Sequence, residues 1–135
     1  MKRIIFDEPE RVGSWVCEAA GGCWVPGNPA IGVEVDGVLV VGVMYDGWTG
    51  SSIAIHSRCD DPRSTSREFY QHIFGYPFNQ LGVKRLTGLV AASNQKAQRI
   101  DKKLGFREEA RLADYFPDGD AIIYIMRRED CRFLR

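Results

Sequence analysis

Two hydrophobic periods run along this chain of 135 residues, one of two and one of three to four. The two-residue period is clearest from Ala30 to Tyr45. Ile31, Val33 and Val35 alternate with Gly32 and Glu34, Asp36-Gly37 offers a two-residue turn, and Val38 to Tyr45 returns, which predicts a β-hairpin. Gly47 to Gly50 marks another turn, and Ser51 to Ser57 predicts a third strand. Its Ile53 and Ile55 share one face while Ser52, Ala54 and His56 share the other. Ahead of the hairpin, Lys2 to Phe6 predicts a short strand. Asp7 with Pro9 signals a helix start, Val12, Trp15, Val16 and Ala19 form its apolar face, and Gly21-Gly22 stops it. Cys23 to Pro29 has the glycine and prolines of a loop.

The second half opens on the polar loop Arg58 to Thr65. Thr65 and Glu68 have capping-box spacing, and Phe69, Ile73 and Phe74 predict the helix behind them. Pro77 ends or kinks that helix, and Phe78 and Leu81 prolong its apolar face to Gly82. Leu86 to Val90 predicts a buried strand, followed by a helix that Ser93 or Asn94 can cap. Ala97, Ile100 and Leu104 supply its apolar positions, with Lys96, Arg99, Lys102 and Lys103 mostly opposite, and Gly105 stops it. Phe106 to Ala113 and Ala121 to Met126 predict two last strands around a Phe116-to-Asp120 turn, and the structure of the tail from Arg127 is left open.

Composition changes this picture little. Hydrophobic residues at 44% and charged residues at 27% are ordinary for a globular protein, and the length suits one domain spanning residues 1–135. Eighteen basic and eighteen acidic side chains cancel, so no overall field argues for nucleic acid or an anionic membrane. No apolar run approaches the ~18 residues of a membrane span, and the start lacks the apolar core of a signal peptide, so the expected compartment is the cytoplasm. Cys17, Cys23, Cys59 and Cys131 contain no C-x-x-C pair, and the histidines are His56 and His72 alone, so no metal site is expected and the thiols read as reduced.

The run from Asn94 through Ala97 to Leu104-Gly105-Phe106, continued by Arg107-Glu-Glu-Ala-Arg-Leu and by Asp120 to Glu129, resembles the C-terminal half of the GNAT superfamily of N-acetyltransferases. It looks most like the subgroup that includes the ribosomal-protein alanine acetyltransferases. The resemblance is specific from about Leu81 to Glu129 and weak before it. It implies an α/β (α+β) fold with a mixed, mostly antiparallel sheet, splayed near its middle and covered by helices on both faces. It also implies acetyl-CoA as co-substrate, held between Ser51–Ser57 and Leu86–Val90.

By that resemblance the cofactor residues are Ile55, His56 and Ser57 on the strand, then Arg58, Arg63, Ser64, Thr65, Ser66 and Arg67 around the pyrophosphate, with Asn94 opposite. The family normally has a glycine-rich loop at the pyrophosphate, whereas this chain has no glycine from Ser51 to Phe74. Arginine and hydroxyl donors are what it offers to phosphate oxygens instead. A capped, solvated helix start is the plain alternative.

Amide formation needs a base for the amine and a proton for the leaving thiolate. His56 is the first candidate base, because it lies on the cofactor strand and imidazole ordinarily titrates near neutrality. Glu34 and Asp46, acting through water, are alternatives. The family often places a tyrosine seven residues after the asparagine, and this chain has Asp101 there. Tyr115 and Tyr124 are the substitute acids. Trp15, Trp24, Trp48 and Tyr45 are candidates for an acceptor pocket, or else core and loop anchors.

The expected function is acetyl-CoA-dependent transfer of an acetyl group directly to a primary amine, of a small molecule or a protein. The competing expectation is a GNAT-fold binding or structural module without catalysis. The partners expected are acetyl-CoA and the amine acceptor, with no nucleic acid and no membrane; a homodimer is left open.

Overall fold

A computed structural model describes residues 1–134. The strands are β1 (Lys2–Ile5), β2 (Ala30–Val35), β3 (Val38–Asp46), β4 (Ser52–Cys59), β5 (Arg85–Ala91), β6 (Arg107–Phe116) and β7 (Gly119–Arg127). The helices are α1 (Pro9–Ala20), α2 (Arg67–Gly75) and α3 (Gln95–Leu104). The strands form one sheet in the order β1-β2-β3-β4-β5-β7-β6. Every neighbouring pair is antiparallel except β4 with β5.

Local chemistry explains most of the elements. Asp36 and Gly37 both adopt positive φ, at 52° and 84°, as the tight β2–β3 turn requires. Asn94 caps α3 by accepting from the Ala97 amide at 3.1 Å. Gly105 ends it at φ 116°, with the Asp130 carbonyl oxygen 2.9 Å from where a Cβ would stand. For α2 the cap is Ser66, accepting from the Phe69 amide at 3.1 Å, one residue beyond the expected Thr65. The Thr65 hydroxyl donates to the Pro62 carbonyl instead, closing a short 3-10 turn at Pro62–Ser64. Pro77 does not stop the chain from coiling: a π-helical turn runs on through Tyr76–Gln80 and buries Phe78. The tail forms two 3-10 turns, Arg128–Asp130 and Arg132–Leu134, which return Cys131 and Phe133 to the core.

Two cores lie on opposite faces of the sheet. On one face Val12, Val16 and Cys17 of α1 pack with Ile5, Ala30, Leu39 and Met44. On the other, Phe69, Ile73 and Phe74 of α2 join Val41, Val43, Tyr45, Ile53, Leu86, Ile122, Tyr124 and Met126, with Leu104 of α3 against them. The sheet thus has α1 on one side and α2 and α3 on the other, so strand parity assigns each side chain near the middle of the sheet to a face.

Candidate functional site

The middle of the sheet is open. β4 and β5 pair only at Ser52–Arg85, Ile53–Leu86 and Ala54–Thr87. Beyond that point β4 continues to Cys59 paired to β3 alone, and β5 continues to Ala91 paired to β7 alone. The backbone groups of β4 that would meet β5 therefore face a wedge-shaped gap. Polar backbone groups away from bulk water need partners, so such a gap suits a ligand with amides of its own.

On the α2/α3 face, Ile55, Ser57 and Cys59 follow the buried Ile53 along the gap and become progressively less covered. Across from them stands Gly88, which is buried, although a Cβ built on it would meet nothing within 4 Å. Space therefore exists over β5 on the side where α2 and α3 flank the gap. Tyr124, the β7 partner of Gly88, borders it. Its hydroxyl donates to Gln98 Oε1 at 3.2 Å, and Gln98 Nε2 donates to the Ala92 carbonyl at 2.8 Å. Burial raises the Tyr124 pKa, so the phenol keeps its proton. One turn on from Gln98, burial raises the Asp101 carboxyl from its ordinary value to about 6. This carboxyl has no hydrogen-bond or ion-pair partner among the described residues.

On the α1 face lies His56, opposite Met44 in the β3–β4 ladder. Its Nε2 is 2.8 Å from Asp46 Oδ1. With the Nε2 proton donated to that carboxylate, Nδ1 is the nitrogen left to accept a proton. Leu89 of β5 stands level with His56 across the gap on the same face, two residues past the Ala54–Thr87 pair. The site therefore has two sides: a slot between α2 and α3, and a His–Asp pair on the opposite face of the same gap.

Several residues singled out by sequence lie elsewhere. Glu34 is bound by Arg11 at 2.8 Å and by Arg3 at 3.3 Å near the β2–β3 turn, and the Arg11 hydrogen bond holds its carboxyl below the ordinary range. It is a brace between β1, α1 and β2, remote from the gap, and is no base. Arg58 turns to the α1 face. Its guanidinium lies 4.1 Å from the Trp15 ring centroid and binds Asp60, Glu18 and the Trp15 carbonyl, so it is unavailable to a phosphate. Ser64 is buried with its hydroxyl on Asp61 at 2.9 Å. Tyr115 is exposed on the edge strand β6, beyond β7, and its ring packs edge-on against Phe116. Tyr45 is fully buried, with its hydroxyl on the Ile73 carbonyl, and belongs to the core.

Of the other residues, Arg63 is exposed and 3.3 Å from Asp61 in a turn whose Ser64 carbonyl accepts from Lys2 of β1, and Arg67 opens α2 behind the Ser66 cap with its guanidinium 6.0 Å from the Phe133 ring centroid. Asn94 is occupied as the α3 cap. Lys96, read from periodicity only as part of the polar face of α3, lies close enough to Cys59 for its charge to oppose the burial that raises that thiol's pKa. No motif marks it, since only the approach of α3 to the end of β4 brings the two together.

A parallel strand pair that separates within an otherwise antiparallel sheet, flanked by α2 and α3, is the fold that the resemblance to the GNAT superfamily implies. Solved structures bear this out, although no protein-family model and no curated protein matches the chain. A chimera of spermidine N-acetyltransferase SpeG from Vibrio cholerae and hSSAT aligns with a TM-score of 0.74 at 15% identity, over 99% of this chain and 99% of that one. The ribosomal-protein-S18-alanine N-acetyltransferase from Escherichia coli aligns at 0.66 and 18% identity, over 94% of each chain. Campylobacter jejuni N-acetyltransferase PseH, solved in complex with acetyl coenzyme A, aligns at 0.58 and 18%, over 77% of this chain and 70% of that one. A probable acetyltransferase matches at 0.66 and 17%, and there the chain spans 63% of its relative's length.

Proposed function

We propose that the protein is an acetyl-CoA-dependent N-acetyltransferase that passes the acetyl group directly to a primary amine. The observation that carries this reading is the separation of β4 from β5 after Ala54 and Thr87. An extended chain bearing amides can bind the freed edge of β4 as an added strand would, and pantetheine is such a chain. The open space over Gly88 leaves room for it on the α2/α3 face. Arg63 and Arg67, just before and at the start of α2, and Lys96, near Cys59, are the cations offered to a pyrophosphate lying against the first turn of α2.

The thioester then lies at the apex, within reach of the opposite face. His56 takes a proton from the attacking amine at Nδ1, and Asp46 orients the ring and stabilises the imidazolium. A backbone N–H of β4 near Ile55 faces the thioester oxygen as it gains charge. No cysteine is needed as an acyl carrier: Cys17 and Cys131 are buried, Cys17 lies against the Met44 sulfur, and burial raises the Cys59 pKa. The neighbours include enzymes for a polyamine and for a protein alanine. Nothing around His56 selects between a small amine and a protein acceptor.

Thermal unfolding with acetyl-CoA, with ATP as the control nucleotide, tests the reading. A ligand at a hundred times its dissociation constant stabilises the native state by about 2.7 kcal/mol. Acetyl-CoA should raise the melting temperature, and Lys96→Ala with Arg67→Ala should weaken that shift. No shift with millimolar acetyl-CoA would overturn the assignment and leave a GNAT-fold module of other use.

A further inference from the structure

A cleft of about 620 Å³ opens between Phe6 just after β1, the start of β2 at Ala30 and Ile31, and the end of α2 with the π-helical turn behind it. β3 and β4 separate it from the gap. Its size falls within the roughly 300–1,000 Å³ of small-molecule sites. We propose that this cleft binds an uncharged heteroaromatic molecule of the purine type, as a second site distinct from the acetyl-transfer gap. Such a site stands whether or not the gap holds acetyl-CoA.

The chemistry of the lining selects the ligand. Among the described residues, no lysine, arginine, aspartate or glutamate lines the cleft. Its apolar part comes from the buried Ala30 and Ile31 and from the half-exposed ring of Phe6, which stands edge-on to His72 at 4.7 Å between centroids. The rest is uncharged and polar. The side chains of Gln71, Tyr76 and Gln80 make no hydrogen bond among the described residues. Burial raises the Tyr76 pKa, so its phenol keeps a proton to donate. Arg128 can only donate, and it holds Asn79 Oδ1 at 2.7 Å, which leaves the Asn79 amide hydrogens for a ligand. A carboxamide offers a donor and an acceptor side by side, the pattern that pairs with the edge of adenine through two hydrogen bonds, and an aromatic ring offers it a stacking surface. A charged ligand would give up hydration here with no counter-charge on the lining.

The wall of the cleft is fixed before any ligand arrives. Pro77 has no N–H, so the Ile73 carbonyl four residues earlier lacks its helical donor, and the Tyr45 hydroxyl donates to it from β3. The Tyr76 ring packs against Tyr45 at 5.2 Å between centroids. The chain then coils on as the π-helical turn Tyr76–Gln80, which brings Tyr76, Asn79 and Gln80 to the cleft beside His72. π-helical turns are frequent at functional sites, and a wall anchored in this way leaves little ordering for binding to impose.

Adenosine is the probe, titrated into the full chain by isothermal calorimetry, with AMP and acetyl-CoA as comparisons. Adenosine should bind one to one and saturate at millimolar concentration or below. AMP should bind no more tightly, since no cation lines the cleft. Tyr76→Phe removes only the hydroxyl and should weaken adenosine about 10-fold. Gly75→Leu fills the cleft from a residue at helical φ and ψ, whose Cβ would meet only Asn79 Nδ2 at 3.9 Å. It should abolish binding while the protein melts as wild type does. Wild type that ignores millimolar adenosine, or either variant binding it as wild type does, would overturn the site. AMP binding about tenfold more tightly than adenosine would replace it with a phosphate site. Adenosine displaced by acetyl-CoA, with Gly75→Leu still binding it, would place adenosine in the gap instead.

Discussion

His56 Nε2 lies 2.8 Å from Asp46 Oδ1, and this contact ties the last residue of β3 to the strand that borders the gap. Both side chains are about a third exposed, so the pair is reachable from solvent and still fixed in orientation. A carboxylate bound to one imidazole nitrogen sets the tautomer and leaves the other nitrogen to work.

Removing either partner should therefore act on transfer before it acts on folding. His56→Ala should cut the rate about 10²-fold while leaving the acetyl-CoA melting shift unchanged. Asp46→Asn should produce a smaller loss of the same kind, because the ring remains but its orientation and charge partner are lost. Steady-state rates with hydroxylamine and with an amine acceptor would separate the two, since the neutral hydroxylamine depends less on a base. Full activity in His56→Ala removes that residue as the base.

Gly88→Val probes the slot directly. The glycine φ lies outside the left-handed region and its added Cβ meets nothing within 4 Å, so the variant should fold with an unchanged melting temperature. The new side chain occupies the space assigned to the cofactor. The acetyl-CoA shift should disappear, and its persistence would place the cofactor elsewhere.

Asp101→Asn carries a stability signature of its own. The folded-state pKa of Asp101 is raised by burial to about 6 from 3.8, so its favourable contribution is complete below pH ~4 and is lost as pH rises through 6. The variant lacks this penalty. It should match wild type near pH 4 and exceed it at pH 8 by at most about 3 kcal/mol, the equivalent of a shift of about two pKa units. Denaturant unfolding at the two pH values measures the difference, and a variant less stable than wild type at pH 8 would contradict the burial argument.

Gly105→Ala tests the junction between α3 and β6. The residue sits at φ 116°, and an added Cβ would come within 2.9 Å of the Asp130 carbonyl oxygen, which is backbone and cannot simply swing away. A loss of more than about 1 kcal/mol is expected. Gly75→Ala, whose Cβ would meet only the Asn79 amide at 3.9 Å, is the comparison that should cost little.

The elements and their order were legible in the residues, because they rest on neighbours in sequence. Asp36-Gly37 makes a turn wherever it occurs between alternating strands, Asn94 and Gly105 mark both ends of α3, and Ile53, Ile55, His56 and Leu89 take their faces from strand parity alone. Even the position of the gap followed from the resemblance of the Asn94–Phe106 run. The partners of the polar side chains were not legible, because they come from contacts distant in sequence. Glu34 and Arg58 looked free, but the packing of α1 on the sheet gave Glu34 its Arg11 and Arg58 its Trp15 and Glu18, and the pairing of β1 with β2 brought Arg3 to Glu34. Asp101 stands in sequence where the family often has a tyrosine, and only the desolvation that folding brings raises its pKa. Charge and periodicity are properties of the chain, whereas desolvation and ion pairing belong to the folded surface.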